Sequence, residues 1–81
     1  MKWIATFYSH YGAIRFKKQC EKQGYKAKLL PVPRELSSSC GTCVNYDADA
    51  FFTDDFVKDE LEQIAYWTEN GYQVVYRATD S

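Results

Sequence analysis

The sequence predicts a ferredoxin-like α+β fold, in which two helices cover one face of a four-stranded antiparallel sheet. Three observations support this fold class. The predicted elements follow the order β-α-β-β-α-β, both helical stretches have a turn signal at each end, and split β-α-β units connect with right-handed crossovers. The 81 residues are enough for one small domain, so residues 1–81 are expected to share a single core.

The first half of the chain predicts a central strand and a helix. The strand is expected over residues 2–8, where aromatic and β-branched residues make both faces fairly apolar. The helix is expected from about residue 10 to residue 23, with Ser9 as its N-cap and Gly24 as its end. Its apolar residues recur at helical spacing and would face the sheet, which makes Cys20 a small core residue.

The rest of the chain predicts three further strands and a second helix. One strand covers residues 25–30, with its lysines turned outward, and the next begins near Thr42. The second helix is expected from a cap at Thr53 to about Glu69, because apolar residues recur there at helical spacing and an Asn-Gly pair follows. The last strand is expected over residues 72–77.

Charge is distributed unevenly along the chain, although the net charge is only −1. Residues 1–45 hold eight Lys and Arg against two acids, whereas residues 46–81 hold two against nine. Two oppositely charged helices lying side by side would explain this pattern, and a basic face for an anionic ligand is the alternative. Nucleic acid is not an expected partner, because the domain is not basic overall and has no aromatic-glycine RNA-binding motif.

The sequence also indicates where the protein resides. No apolar run approaches the roughly 20 residues of a membrane span. The N-terminus leads directly into strand-like sequence without the layout of a signal peptide. Three cysteines make a poor disulfide framework, so reduced thiols are expected. These features predict a cytoplasmic protein with no membrane partner.

Residues 31–43 form a loop that departs from regular structure. The segment holds two prolines, three consecutive serines, a glycine and two of the three cysteines. Prolines fix the entry of a loop, and serine and glycine favour turns with free backbone amides. Since the second strand runs parallel to the first in this topology, the loop is expected on the same rim as Ser9, His10 and the start of the first helix. Loops of this kind often carry function.

Cys40 is the residue expected to react. Neighbouring amides and hydroxyls would hold a thiolate or a small anion, and Arg34 and the helix N-terminus would add positive potential that lowers the thiol pKa. His10, the single histidine, would assist proton transfer. The expected anion-binding residues are Arg34, Ser37, Ser38, Ser39, Gly41 and His10.

Cys43 leaves a dithiol site open as an alternative. If the third strand is already extended at Cys43, its Cα lies about 10 Å from that of Cys40, whereas a disulfide needs less than about 7 Å. A bridge would then require the chain to fold back between them. A closed zinc site needs four ligands, and only Cys40, Cys43 and His10 are candidates, so no metal and no cofactor are expected.

Residues 29–41, Leu-Leu-Pro-Val-Pro-Arg-Glu-Leu-Ser-Ser-Ser-Cys-Gly, closely resemble a family of small bacterial domains described as selenium/sulfur carrier proteins. Residues 4–13 resemble the first strand and helix start of that family, and the resemblance spans most of residues 2–77. The most specific residues are Pro33, Arg34, Ser37, Cys40 and Gly41. The chain departs from the family pattern at Cys43, where an apolar or small residue is usual, and near Asn45, where a basic residue is usual.

The resemblance implies that Cys40 carries sulfur or selenium as a persulfide or selenosulfide, exchanged with donor and acceptor proteins. Arg34 and the backbone of residues 37–41 would stabilise the anion, and Cys43 would be an optional resolving thiol. Such a protein would be a carrier or accessory protein rather than a free-standing enzyme. A dithiol redox or sensing module and a non-catalytic ligand-binding or regulatory domain remain alternatives, and a homodimer is left open.

Overall fold

The computed structural model describes residues 2–36, 38–49 and 59–78. These residues form one helix and five strands. The elements are β1 (Lys2–Phe7), α1 (His10–Lys22), β2 (Lys26–Pro31), β3 (Thr42–Asp47), β4 (Leu61–Thr68) and β5 (Gly71–Arg77). The strands form a single sheet in the order β2-β3-β1-β4-β5, and every neighbouring pair is antiparallel. No helix in the described part of the chain has the length and apolarity needed to cross a membrane.

The predicted ferredoxin-like arrangement of four strands and two helices is wrong. The second helix was expected from Thr53 to about Glu69, but β4 occupies the C-terminal half of that stretch. The first part of the expected helix falls on residues 50–58, which lie outside the described residues. The stretch after the Asn-Gly pair is a strand as predicted, although it pairs with β4 rather than following a helix.

Strand β4 has a helix-like sequence pattern because it is bulged and buried on both faces. Leu61 and Ile64 pack in the core beneath α1, whereas Ala65 packs in a second core on the opposite face. A register shift in the pairing with β1 leaves Glu62 as an extra residue, so Leu61 and Ile64 lie on the same face although they are three residues apart. Buried residues therefore recur at i, i+3 and i+4, as they do on an amphipathic helix.

The predictions for the first half of the chain are confirmed element by element. Strand β1 is central, and β2 runs in the same direction as β1 with β3 between them. Helix α1 begins after Ser9, whose Oγ accepts a hydrogen bond from the Gly12 N–H at 3.1 Å. The helix ends before Gly24, which has a φ of +86°. Cys20, a residue of α1, is fully buried.

The sheet is packed on both faces, and this positions the loop between β2 and β3. On the α1 face, the Phe16 ring lies 5.2 Å from the Phe7 ring and 5.3 Å from the Tyr46 ring. On the opposite face, Leu36 from the loop packs against a smaller cluster that contains Cys43. The loop is therefore held by an apolar contact with the sheet, in addition to its hydrogen bonds.

Candidate thiol site

The loop between β2 and β3 lies on the rim where β1 ends and α1 begins, as the topology predicted. The Ser38 hydroxyl donates to the Phe7 carbonyl at 3.5 Å. His10 Nδ1 lies 3.2 Å from Thr42 Oγ1, at the start of β3. The loop, the end of the central strand and the first turn of the helix are thus brought together.

Backbone hydrogen bonds give this loop a closed neck and a defined turn. The Val32 N–H donates to the Gly41 carbonyl at 3.1 Å, which closes the neck. The Leu36 N–H donates to the Pro33 carbonyl at 3.0 Å, forming a β-turn with Arg34 at its second position. Gly41 has a φ of +74°, a conformation that residues with a Cβ rarely adopt. The neck at Gly41 is directly beside Cys40.

Cys40 is half-buried and forms a small turn with Thr42. Its thiol donates to the Thr42 carbonyl at 3.3 Å, and the Thr42 N–H donates to Cys40 Sγ at 3.5 Å. The Thr42 backbone thus offers the sulfur both an acceptor and a donor. Because the Thr42 hydroxyl also contacts His10, Thr42 connects the thiol to the imidazole. The sequence interpretation had not assigned Thr42 to the site.

The other two thiols are buried and keep their protons. Cys43 is 1% exposed, and its thiol donates to the Pro31 carbonyl at 3.6 Å. Burial, followed by the proximity of Cys40, raises the pKa of Cys43 to about 11. Burial, followed by the charge of Glu21, raises the pKa of Cys20 to about 12. All three cysteines are free, and Cys40 is the one that solvent reaches.

The Glu62 carboxylate accepts hydrogen bonds from Ser39, one of the residues expected to bind an anion. It accepts from the Ser39 N–H at 3.4 Å, from the Ser39 hydroxyl at 3.1 Å and from the Thr6 hydroxyl at 3.0 Å. The sequence interpretation missed Glu62 because it placed the residue in a helix. The Asn-Gly pair, taken as a hairpin, would have put Glu62 on a strand, but not beside this loop.

A second carboxylate occupies the start of α1. The Ser9 hydroxyl donates to Glu60 Oε2 at 2.6 Å, and the Tyr8 N–H donates to the Glu60 carbonyl at 2.8 Å. A negative charge is favourable at this end of a helix dipole. The approach is close enough that a Cβ added at Gly12 would lie 2.5 Å from Glu60 Cβ. At Ser39 and at the start of α1, a carboxylate of the protein itself thus lies where an external anion was expected.

The remaining predicted anion-binding residues differ in their surroundings. Arg34 is exposed in the turn that begins at Pro33, and Ser37 lies outside the described residues. The hydroxyls of Ser38 and Ser39 both donate to acceptors within the protein. Their anion-binding roles therefore stay predictions. Over the described ranges, no group of three or more His, Cys, Asp or Glu side chains is arranged to hold a metal ion.

The fold and the site together define a small α+β domain with one accessible thiol on the rim of its sheet. The model of the family described as "Putative Se/S carrier protein-like" matches residues 2–72. The chain belongs to this family, as the residues around Cys40 implied. No curated protein and no solved structure matched the chain.

Proposed function

We propose that this protein carries sulfur or selenium covalently on Cys40, as a persulfide or selenosulfide, between a donor and an acceptor protein. The observation that carries the proposal is the difference in accessibility among the three thiols. Cys20 and Cys43 are buried with raised pKa values, whereas Cys40 on the rim is only half-buried. The family description supports sulfur or selenium as the cargo.

Loading would be a thiol–persulfide exchange without net oxidation. The Cys40 thiolate attacks the outer sulfur of a donor persulfide; a new S–S bond forms as the donor S–S bond breaks, and the donor leaves as a thiolate. With a selenosulfide donor, the same attack transfers selenium. Release follows the same course in reverse, because an acceptor thiolate attacks the outer atom and Cys40 is the leaving thiolate.

The neighbours of Cys40 fit this exchange. The Thr42 N–H, 3.5 Å from the sulfur, would stabilise the thiolate that is present before loading and after release. Proton transfer from the Cys40 thiol to His10 stays a prediction, since the imidazole contacts the Thr42 hydroxyl and not the sulfur. Because Ser39 already binds the Glu62 carboxylate, a free oxyanion would have to compete with that carboxylate. Covalent carriage therefore fits the site better than capture of a free anion.

The dithiol alternative fits the structure less well than the carrier function, because it requires a buried thiol to react. Cys43 is paired with Leu30 in the sheet, and its thiol is buried against the Pro31 carbonyl. Cys43 belongs to the cluster on the face opposite α1, whereas Cys40 packs against the core beneath α1. For Cys43 to attack a persulfide on Cys40, its thiol would also have to ionise despite a pKa of about 11. No observation in the described residues favours this role over simple burial in β3.

The test is the intact mass of the protein after incubation with a cysteine desulfurase and L-cysteine, with and without reductant. We expect the wild type to gain one sulfur atom, which reductant and cyanide both remove. Cys40→Ser should gain none. Cys43→Ala is the matched control. It should load like the wild type, because the thiol that it removes is buried in the wild-type protein.

Two results would contradict the proposal. One is a Cys40→Ser variant that gains sulfur as well as the wild type. The other is a wild type that stays unmodified while the desulfurase in the same mixture is itself persulfidated.

A further inference from the structure

A groove lies beside the loop, on the face of the sheet opposite α1. Its volume is about 380 Å³, within the range of about 300–1,000 Å³ typical of ligand pockets. Cys40 does not line it, and the proposed carrier function leaves it without a role. The residues that characterise the groove are Glu35, Leu36, Glu62, Tyr72, Val74 and Arg77.

Arg77 is the cationic group of the groove. It lies at the end of β5, opposite Gln63 of β4. Arg77 forms no ion pair with any residue that the structure describes. A guanidinium presents a planar pair of donors that matches the two oxygens of a carboxylate. The groove therefore offers a donor site suited to a carboxylate.

Glu35 provides the opposite charge from the loop wall. It lines the groove together with Tyr72. Partial burial, followed by the charge of the Glu35 carboxylate, raises the pKa of the Tyr72 phenol. Glu62 adds a second carboxylate, although its two oxygens already accept hydrogen bonds from Thr6 and Ser39. Glu35 is thus the carboxylate with free capacity to bind a cationic group of a ligand.

The rest of the groove is apolar. Leu36 is 8% exposed and packs in the same cluster as Tyr72 and Val74. A ligand with an apolar portion would extend this cluster and remove further apolar surface from water.

We propose that the groove binds a small zwitterion, an α-amino acid with an apolar side chain. The carboxylate of the ligand binds Arg77, its ammonium group binds Glu35, and its side chain packs on Leu36 and Val74. This inference goes beyond the proposed carrier function and does not depend on it, since Cys40 takes no part in the groove.

The test is an NMR titration of the ¹⁵N-labelled full chain with L-methionine. Saturable shifts are expected at the backbone amides of Leu36, Val74 and Arg77. N-acetyl-L-methionine lacks the ammonium group and L-methioninamide lacks the carboxylate. Each derivative should bind about tenfold more weakly, as the loss of one charge-assisted hydrogen bond implies.

Variants assign each charge to its partner. Arg77→Gln should weaken L-methionine about tenfold and leave the affinity for L-methioninamide unchanged, because that derivative has no carboxylate to lose. Glu35→Gln should weaken L-methionine about tenfold and leave the affinity for N-acetyl-L-methionine unchanged, because that derivative has no ammonium group to lose. Lys22→Gln, at the end of α1 and away from the groove, should change neither affinity.

The proposal is overturned if L-methionine produces no saturable shift at groove amides. It is also overturned if both derivatives bind as tightly as L-methionine, since the charges would then play no part. The derivatives test the wild-type protein, so this second criterion does not depend on whether a variant folds.

Discussion

The Glu62 carboxylate joins three parts of the molecule at a single residue. It belongs to β4, accepts a hydrogen bond from Thr6 of β1, and accepts two more from Ser39 in the loop. Hydrogen bonds to a charged group contribute about 1.5–3 kcal/mol each when they are shielded from water, and less when they are partly exposed as here. Glu62 is therefore the group that fixes the loop next to Cys40.

Glu62→Gln should lower the free energy of unfolding by about 1–2 kcal/mol. The amide keeps the shape of the side chain, but its NH₂ group would face donors of Thr6 or Ser39. Urea unfolding measures the loss of stability. Hydrogen exchange at the Ser39 amide should become faster, because that N–H loses a charged acceptor.

Glu69→Gln is the matched control, because Glu69 is exposed in the turn between β4 and β5. It should leave both the stability and the exchange rate of Ser39 unchanged. If Glu62→Gln and Glu69→Gln behave alike, Glu62 does not fix the loop.

The position of Cys40 on the rim could be predicted from sequence, but the groups around it could be predicted only in part. Cys40 and His10 were placed on one rim because the order of β1, α1 and β2 determines where the loop must lie. The contacts of Glu62 join residues 56 apart, to Thr6, and 23 apart, to Ser39. No local pattern encodes such contacts, so serine amides that looked free were already occupied.

At the scale of elements, the turn between β4 and β5 was the pattern most open to misinterpretation. Thr68 pairs with Gly71, which has a φ of +107°, and the Thr68 hydroxyl donates to the Gly71 carbonyl at 2.7 Å. An Asn-Gly pair ends helices and also forms hairpin turns. The bulge in β4 gives the residues before the Asn-Gly pair a helix-like spacing of apolar side chains. The spacing and the Asn-Gly pair therefore both predicted a helix where the structure has a strand.

The first turn of α1 is limited by its contact with Glu60, and this gives a prediction. Gly12→Ala should destabilise the protein by about 1–3 kcal/mol, as overpacking does, although alanine favours an isolated helix by about 1 kcal/mol. The physical reason is the approach of 2.5 Å between the new Cβ and Glu60 Cβ. Thermal or urea unfolding measures the change.

The double variant Gly12→Ala with Glu60→Gly separates this clash from other effects. Removing the Cβ at position 60 should restore part of the stability lost through Gly12→Ala, measured relative to Glu60→Gly alone. If the two changes are simply additive, the contact between Gly12 and Glu60 does not limit the helix.

Across the whole molecule, buried thiols on both faces of the sheet link stability to pH. Cys20 belongs to the core beneath α1, and Cys43 belongs to the core on the other face. Folding raises their pKa values from 9.0 to about 12 and about 11. Above pH 9 the unfolded chain loses these protons first, so the unfolded state binds fewer protons than the folded state.

The contribution of these thiols to the free energy of unfolding is therefore fully present below pH 9 and declines as the pH rises toward 11. We expect the free energy of unfolding in urea to fall between about pH 9 and about pH 10, before most lysines deprotonate. Cys43→Ala should reduce this pH dependence even if its absolute stability is lower. An unchanged slope in Cys43→Ala would contradict the prediction.

The central position of β1 has a consequence for how the chain matures. Strand β1 is synthesised before the other strands, yet it pairs with β3 and with β4, where Trp3 meets Tyr66. Sheets built from such distant pairings fold slowly, because long loops must close before their contacts form. The three cysteines all precede β4, so every thiol is translated before the sheet can close. During that interval, Cys20 and Cys43 are as exposed as Cys40, and only completed folding leaves Cys40 as the one thiol that solvent reaches.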